Sequence, residues 1–243
     1  MQYDYIIIIP YRNRKAQLEA FIAKVVPLFQ RVLKSFKVVV VEQAEGKLFN
    51  RGALLNIGYQ ECIANGASAS SSASDRTWFF NHDVDVYPNE ACVEKYYINH
   101  STNTKSGFVG IITPPCDTLG TVIKFSAPEF ARCNGYPNNF WGWGVEDKAL
   151  QNRVELAGIP ISKVFYHDSP ELQQWFEIKN DVDDRVKDRE FQMKTHFEYD
   201  TFKYLPATHK SRYVMLSGLN NLKYEVFYRE AIGENVELIK VAL

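Results

Sequence analysis

Three observations predict an α/β fold for this chain. Short, β-branched apolar runs occur at residues 5–9, 36–41 and 78–80, with the length and composition of buried strands. Helix-period patterns separate them, so strand, helix, strand, helix and strand follow one another as in a parallel sheet covered by helices. Each run then stops at a polar cluster, at residues 10–14, 42–43 and 83–85. Open sheets of this Rossmann-like kind bind ligands beyond the carboxyl ends of their strands. The three clusters are therefore expected to converge on one crevice.

The elements follow in order. Residues 5–9 form the first strand, which is expected to stop at Pro10. Residues 15–33 read as a helix, because Leu18, Phe21, Ile22, Val25, Val26 and Phe29 recur at spacings of three and four. Residues 36–41 are the second strand, and residues 51–63 a second helix with Leu54, Leu55, Ile57 and Gly58 inward. The Ala/Ser-rich stretch 64–75 reads as a helix end and surface loop. The third strand, 78–80, ends at Asn81-His82-Asp83.

Beyond that the pattern is less regular and the sheet is expected to become mixed. Residues 107–113 and 121–125 read as strands, 128–134 as a short helix and 136–144 as an aromatic, glycine-rich loop. A helix over 146–157 ends at Gly158 and Pro160, and 161–166 is a further strand. The highly charged stretch 173–194 reads as a solvated helix or lid. No repeat or linker divides the chain, so residues 1–243 are expected to form one domain.

Composition narrows the function classes. Hydrophobic residues make up 46% of the 243, and Lys plus Arg (28) nearly balance Asp plus Glu (29), giving a net charge of −1. Ordinary apolar content with little net charge excludes default disorder. The near-neutral balance argues against nucleic-acid binding, which needs a basic surface, although it leaves room for a local basic pocket. Cys62, Cys92, Cys116 and Cys133 form no C-x-x-C pair, so buried free thiols are expected rather than a zinc or redox site. No run of about 18 apolar residues occurs, so no membrane-spanning segment is expected. The first strand begins almost at Met1, without a signal-peptide pattern. A cytoplasmic protein is the expectation, with the Golgi lumen or secretory pathway as the alternative for a trimmed chain.

Two motifs carry chemistry. In Asp83-Val84-Asp85 the i and i+2 carboxylates share a side of the chain just past a buried strand. They suit a hard divalent cation, Mn²⁺ or Mg²⁺, or equally a solvated turn in which one Asp caps an amide. Asp181-Val182-Asp183 has the same spacing but lies in a charged run with no strand before it, and reads as solvated. In Trp141-Gly142-Trp143-Gly144-Val145-Glu146-Asp147 two tryptophans sit on a pliable backbone. They offer either a platform for a sugar face or core packing. Glu146 and Asp147 follow at a helix start, as a general base with its neighbour or as caps alone. His82 is open between metal ligation and a solvent-facing or capping role.

These residues together resemble the β-1,4-galactosyltransferase family. Residues 5–14, YIIIIPYRNR, are similar to its opening strand and "PFRNR" turn. Phe49-Asn50-Arg51 with Leu54-Leu55-Asn56-Ile57-Gly58-Tyr59 is similar to "FNR…LLNVGF", and residues 80–88 to "F-x-x-DVDxxP". Residues 134–147, NGYPNNFWGWGVED, resemble "NGFPNNYWGWGGED", and residues 218–224 "GLNSLTY". Order and spacing agree from about residue 5 to 226. The resemblance implies a GT-A fold, a UDP-sugar donor, a carbohydrate acceptor, Mn²⁺ (or Mg²⁺) and an inverting transfer, with residues 1–90 as the nucleotide-sugar half and 91–243 as the acceptor half. It implies that Pro10, Tyr11, Arg12, Arg14, Phe49 and Arg51 line the uridine and diphosphate site, and that Asp83 contacts the donor. Asp85 and His167 would be metal ligands. Trp143 would sit between donor and acceptor, Glu146 would orient the donor sugar and Asp147 would be the base.

The chain departs from that pattern at three places. Lys148 stands where the family has a second Asp, and either meets an acidic group on the acceptor or faces water. Val164 and Phe165 stand where the family supplies a further metal ligand before His167. Asp117-Thr118-Leu119-Gly120-Thr121 replaces an aromatic that sits against the donor sugar, which admits GalNAc as well as galactose. The competing reading is a carbohydrate-binding protein derived from such an enzyme, with catalysis weakened. A two-metal phosphoesterase would need more acidic or His ligands than the sequence offers.

Overall fold

The computed structural model describes residues 3–67, 77–98, 107–112, 117–142, 144–165, 170–178 and 202–243. Its centre is an eight-stranded mixed sheet in the order β7-β5-β6-β3-β1-β2-β10-β9. The first half follows the predicted alternation: β1 (Tyr5–Tyr11), α1 (Lys15–Val32), β2 (Phe36–Gln43), α2 (Arg51–Ala64) and β3 (Trp78–His82). β1 pairs in parallel with both β2 and β3. A short strand, β4 (Val86–Pro88), follows, then the single turn α3 (Glu90–Cys92) and a π-helical turn, Val93–Ile98.

The first strand does not stop at Pro10. It runs to Tyr11, with Pro10 opposite Val41 of β2. The reason lies in the register. Pairing with β3 ends at Ile8, opposite Asn81, so beyond that point β1 has a neighbour on one side only. A proline costs no ladder bond on an open side.

The sheet turns mixed where the pattern weakened. β5 (Phe108–Ile112) and β6 (Val122–Ser126) are antiparallel, and β6 runs antiparallel to β3. β6 leads directly into α4 (Ala127–Arg132), where Glu129 accepts from both the amide and the hydroxyl of Ser126. α5 (Glu146–Leu156) follows, and β7 (Ile161–Phe165) pairs in parallel with β5. α6 (Pro170–Trp175) and β8 (Phe176–Ile178) come next, with β8 pairing β4 in a separate two-stranded sheet. Most of the charged stretch 173–194, including Asp181 and Asp183, lies outside the described residues.

α7 (Ala207–Val214) precedes a hairpin that the sequence reading did not anticipate: β9 (Glu225–Gly233) and β10 (Val236–Ala242). β10 inserts beside β2 in parallel. Its Val236, Leu238, Ile239 and Val241 are buried, while Glu237 and Lys240 are engaged by Lys37 and Glu42 of β2. No described helix is long and apolar enough to cross a membrane. Cys62, Cys92 and Cys133 are buried free thiols, with burial pushing each up to about 12; Cys116 lies outside the described residues.

Two apolar layers sandwich the sheet. One packs α1 through Phe21, Val25 and Phe29 against Ile7, Ile9, Val38 and Val40. The other packs α2 through Leu54, Leu55 and Ile57 against Ile6, Ile8, Val39 and Val41. The alternation of these strand residues between faces is the period-two geometry of β structure. Gly58 lets α2 lie close to the sheet: a Cβ there would stand 2.3 Å from Ile8 Cγ2 and 3.1 Å from Val41 Cγ2. Gly58→Ala is expected to cost about 1–3 kcal/mol. In a double-mutant cycle with Ile8→Ala, chemical denaturation should show the two losses to be less than additive.

Candidate active site

The site forms where β3 and the N-termini of α2 and α5 meet, around Arg51. Arg51 is the first residue of α2 and is buried. Its Nε donates to Asp83 Oδ1 at 2.9 Å, and its Nη1 donates to Asp147 Oδ1 at 2.7 Å and reaches Glu146 Oε1 at 3.5 Å. Nη2 lies 2.9 Å from the same Asp83 oxygen but makes no aligned hydrogen bond, so that contact is one of charge. One guanidinium thus faces three carboxylates.

Three acids around one cation leave an excess of negative charge in a desolvated place. Burial raises the proton affinity of Asp147 well above the usual carboxylate range; Arg51 opposes the shift, and Glu146 and Asp83 add to it. Glu146 is raised for the same leading reason, again against Arg51. For Arg51, burial disfavours the charge, but the carboxylates outweigh it and hold its pKa well above the ordinary value. Carboxylates perturbed in this way by burial and specific charges mark a candidate site for chemistry.

An asparagine lattice holds the cluster. Asn50 caps α2 by accepting from the Ala53 amide at 2.9 Å, and its own amide donates to Gln43 Oε1 at 2.8 Å. Asn56 exchanges bonds with the Tyr136 backbone, donating to its carbonyl at 2.7 Å and accepting from its amide at 2.9 Å. Asn138 donates to the Gly218 carbonyl at 2.8 Å, and Asn134 to the Val214 carbonyl at 2.9 Å. Motifs far apart in the chain (49–59, 134–140 and 217–221) are therefore one hydrogen-bonded unit. The repeated Asn in those motifs was the available signal, and reading each motif separately missed it.

Backbone geometry aims the acids. Val145, immediately before Glu146, has φ 62°, and Thr121 has φ 63°. Both are β-branched residues in the left-handed region, at a cost of order 1–2 kcal/mol each. The first turns the chain from the tryptophan loop into α5. The carbonyl of the second accepts from the Asp83 amide at 3.1 Å. Gly120 lies against Asp147, since a Cβ there would stand 2.8 Å from Asp147 Oδ2.

The remaining predicted site residues fall around this centre. Pro10 and Tyr11 are buried at the end of β1. Arg12 lies 5.3 Å above the Phe49 ring and donates to the Lys47 carbonyl at 2.6 Å. The Phe49 carbonyl accepts from Gly142 at 2.8 Å, joining the tryptophan loop to α2. Trp141 is half-buried and faces the Lys47 ammonium at 5.3 Å. Arg14 approaches Asp85 at 3.8 Å, so two of the expected clusters meet. In the third, Glu42 turns instead to Lys240 while Gln43 organises residues 48–50. Trp143 and His167 lie outside the described residues.

His82 does not face solvent: it is fully buried with Nδ1 against the backbone carbonyl of Asp83, and burial lowers its pKa to about 4. Asp85 offers the hard oxygen that a divalent cation takes. Among the described residues no three His, Cys, Asp or Glu side chains converge as a metal-holding group.

An open mixed sheet with carboxylates gathered beyond the end of β3 places this chain in the GT-A fold class, and solved structures show the same architecture. Drosophila β-1,4-galactosyltransferase 7, in a complex with manganese, UDP-Gal and xylobiose, superposes with a TM-score of 0.69 at 20% identity, covering 99% of this chain and 94% of that one. Its xylobiose complex gives 0.64 at 18% identity, with the same coverage. Residues 1–98 match the N-terminal region of glycosyl transferase group 7, and residues 112–179 match the N-terminal domain of galactosyltransferase. The chain belongs to this galactosyltransferase family. It is 34% identical to human β-1,4-galactosyltransferase 4 over 168 residues, and 34% identical to human β-1,4-galactosyltransferase 1 over 160. Each alignment covers 65% of this chain, but only 44% and 38% of those proteins.

Two outcomes test the site. Arg51→Met leaves buried Glu146 and the half-buried Asp83 and Asp147 without their cation and should lower stability by up to about 3–5 kcal/mol in denaturant titrations. Arg51→Lys should recover little of it, because a point charge cannot reproduce the fork. Gly120→Ala should crowd Asp147 Oδ2, which a Cβ would meet at 2.8 Å, and lower stability by about 1–3 kcal/mol in the same titrations.

Proposed function

We propose that the chain is an inverting, metal-dependent glycosyltransferase. It would move galactose or GalNAc from a UDP-sugar to a carbohydrate hydroxyl and form a β-linkage. The observation that carries this reading is Asp147: a carboxylate of raised proton affinity, pinned by Arg51 and pressed against Gly120 beside Asp83. Membership of the galactosyltransferase family supports it, as does the likeness of fold to a protein solved with manganese, UDP-Gal and xylobiose.

In this mechanism Asp147 takes the proton of the acceptor hydroxyl. The freed oxygen attacks the anomeric carbon from the face opposite UDP, and the bond to the β-phosphate oxygen breaks with its electrons leaving on UDP. Arg12 and Arg14 would lie along the diphosphate, with Pro10, Tyr11 and Phe49 at the uridine, and would meet the charge that develops on the leaving group. Glu146 and Asp83 would orient the donor, and Trp143 would separate donor from acceptor. Asp85 fits as the carboxylate ligand of Mn²⁺ or Mg²⁺, with His167, phosphate and water completing the set. When bound, that cation would neutralise negative charge on the diphosphate. Residues 1–90 would supply the donor half and 91–243 the acceptor half, with the acids of the second meeting Arg51 of the first.

Val164 and Phe165, in place of a further ligand, favour the alternative of a sugar-binding protein with weakened catalysis. One experiment separates the two readings: UDP release with Mn²⁺ across UDP-sugars and an acceptor panel that includes acidic sugars, because of Lys148. Wild type should turn over at least one pair, and Asp147→Asn should lose a factor on the order of 10²–10⁴ in kcat. Wild-type turnover by Asp147→Asn would remove the base assignment. UDP-sugar binding without turnover on any acceptor would select the binding protein.

A further inference from the structure

The acidic turn after β3 is gripped from behind by a buried polar chain that the proposed reaction does not use. His82 Nδ1 lies 2.8 Å from the Asp83 carbonyl oxygen, and Nε2 lies 2.8 Å from the Tyr97 hydroxyl. A carbonyl oxygen only accepts, so Nδ1 carries the ring proton, and Nε2 must accept from the tyrosine. The tautomer is fixed by its partners. Both residues are fully buried; the Tyr97 contact is buried with them, and the Asp83 contact is partly buried.

Tyr97 is itself fixed on three sides. Its ring stacks on Phe80 at 4.8 Å, with an interplanar angle of 14°. Its carbonyl accepts from the ammonium of Lys124, a buried residue of β6 that also lies 4.7 Å from the Trp78 ring. It sits in the π-helical turn Val93–Ile98, a wide turn of a kind often found next to functional sites. The His82 ring meets Phe21 of α1 edge-on at 5.3 Å. α1, the π-turn and β6 thus converge on one imidazole, whose single N–H is spent on the backbone of the acidic turn. An apolar side chain would fill the same space without desolvating two ring nitrogens. The retained polarity therefore points to orientation rather than to packing.

We infer that His82 is a positioning residue for the Asp83-Val84-Asp85 turn, held in its Nδ1–H form by the Tyr97 hydroxyl, and that it sets the affinity of the site for the metal–nucleotide pair. This rests on the function proposed above and assigns no contact between His82 and substrate. The Nδ1–H bond pins the peptide that joins Asp83 to Val84, while the Thr121 carbonyl takes the Asp83 amide. Held at both ends of that residue, the two carboxylates keep their separation and direction.

The test reads binding rather than turnover: calorimetric titration of the full chain with UDP in the presence and absence of Mn²⁺, with thermal unfolding beside it. Tyr97→Phe removes only the hydroxyl. It should weaken Mn²⁺-dependent UDP binding about three- to tenfold, the worth of one buried neutral hydrogen bond. His82→Gln places its amide nearer the Nε2 position and should weaken binding at least as much. His82→Asn places an N–H close to the Nδ1 position and should restore affinity to within about twofold of wild type. UDP affinity without Mn²⁺ should change little across the series.

Wild-type affinity in Tyr97→Phe and His82→Gln, with only the unfolding temperature lowered, would show a purely structural residue and overturn the inference while leaving the proposed function standing. Equal losses in His82→Asn and His82→Gln would also overturn it. If wild type itself binds no UDP with Mn²⁺, the proposed function falls first and takes this inference with it. Should His82→Gln fail to fold, the comparison of Tyr97→Phe with His82→Asn still decides.

Discussion

The site depends on one guanidinium. Arg51 holds Asp83, Glu146 and Asp147, and so ties the end of β3 to the starts of α2 and α5. A single fork of five donors can serve three acids from different directions, which an ammonium cannot. The balance is still incomplete. Burial leads in raising the proton affinity of Asp147 and Glu146, neighbouring carboxylates add to it, and Arg51 opposes it. Shifts of this kind cluster where a site does chemistry.

Around that centre the protein uses neutral polar groups in place of further charge. Asn50, Asn56 and Asn134 each donate to and accept from backbone, while Asn138 donates to the Gly218 carbonyl and accepts from the Asn56 side chain. An amide side chain can satisfy a buried N–H and a buried C=O at once, so it joins irregular loops without adding to the electrostatic load. The left-handed backbone of Val145 follows the lattice segment 134–140, and that of Thr121 is held by the Asp83 amide, which donates to its carbonyl.

The two faces of the sheet divide the labour. α2 lies close on one face because Gly58 permits it, and that approach delivers Arg51 to the end of β3. On the other face, α1 and the π-turn surround His82. The acidic turn is thus gripped from the crevice side by Arg51 and from the core side by His82, and both contacts arise from packing set up far from the site.

Sequence alone determined the first half of the fold. Buried parallel strands and amphipathic helices write their periods into short, local windows, so β1, α1, β2, α2 and β3 were legible with their order. It also named the acids and arginines of the site, because their spacing in Asp83-Val84-Asp85 and in residues 134–147 is distinctive and carried the family resemblance. Tertiary structure decided what spacing cannot encode. Pro10 continues β1 because the strand has lost its neighbour on that side. β10 enters the sheet beside β2, a pairing nearly two hundred residues distant, which no local pattern announces. His82 stands between metal ligation and a solvent-facing or capping role in one dimension; in three it is buried, its ring nitrogens meet the Asp83 carbonyl and the Tyr97 hydroxyl, and α1 and the π-turn close over it. The resemblance puts Arg51 at the uridine and diphosphate site, and the folded chain adds contacts with three carboxylates that no motif announces, since only folding brings α5 to the end of β3.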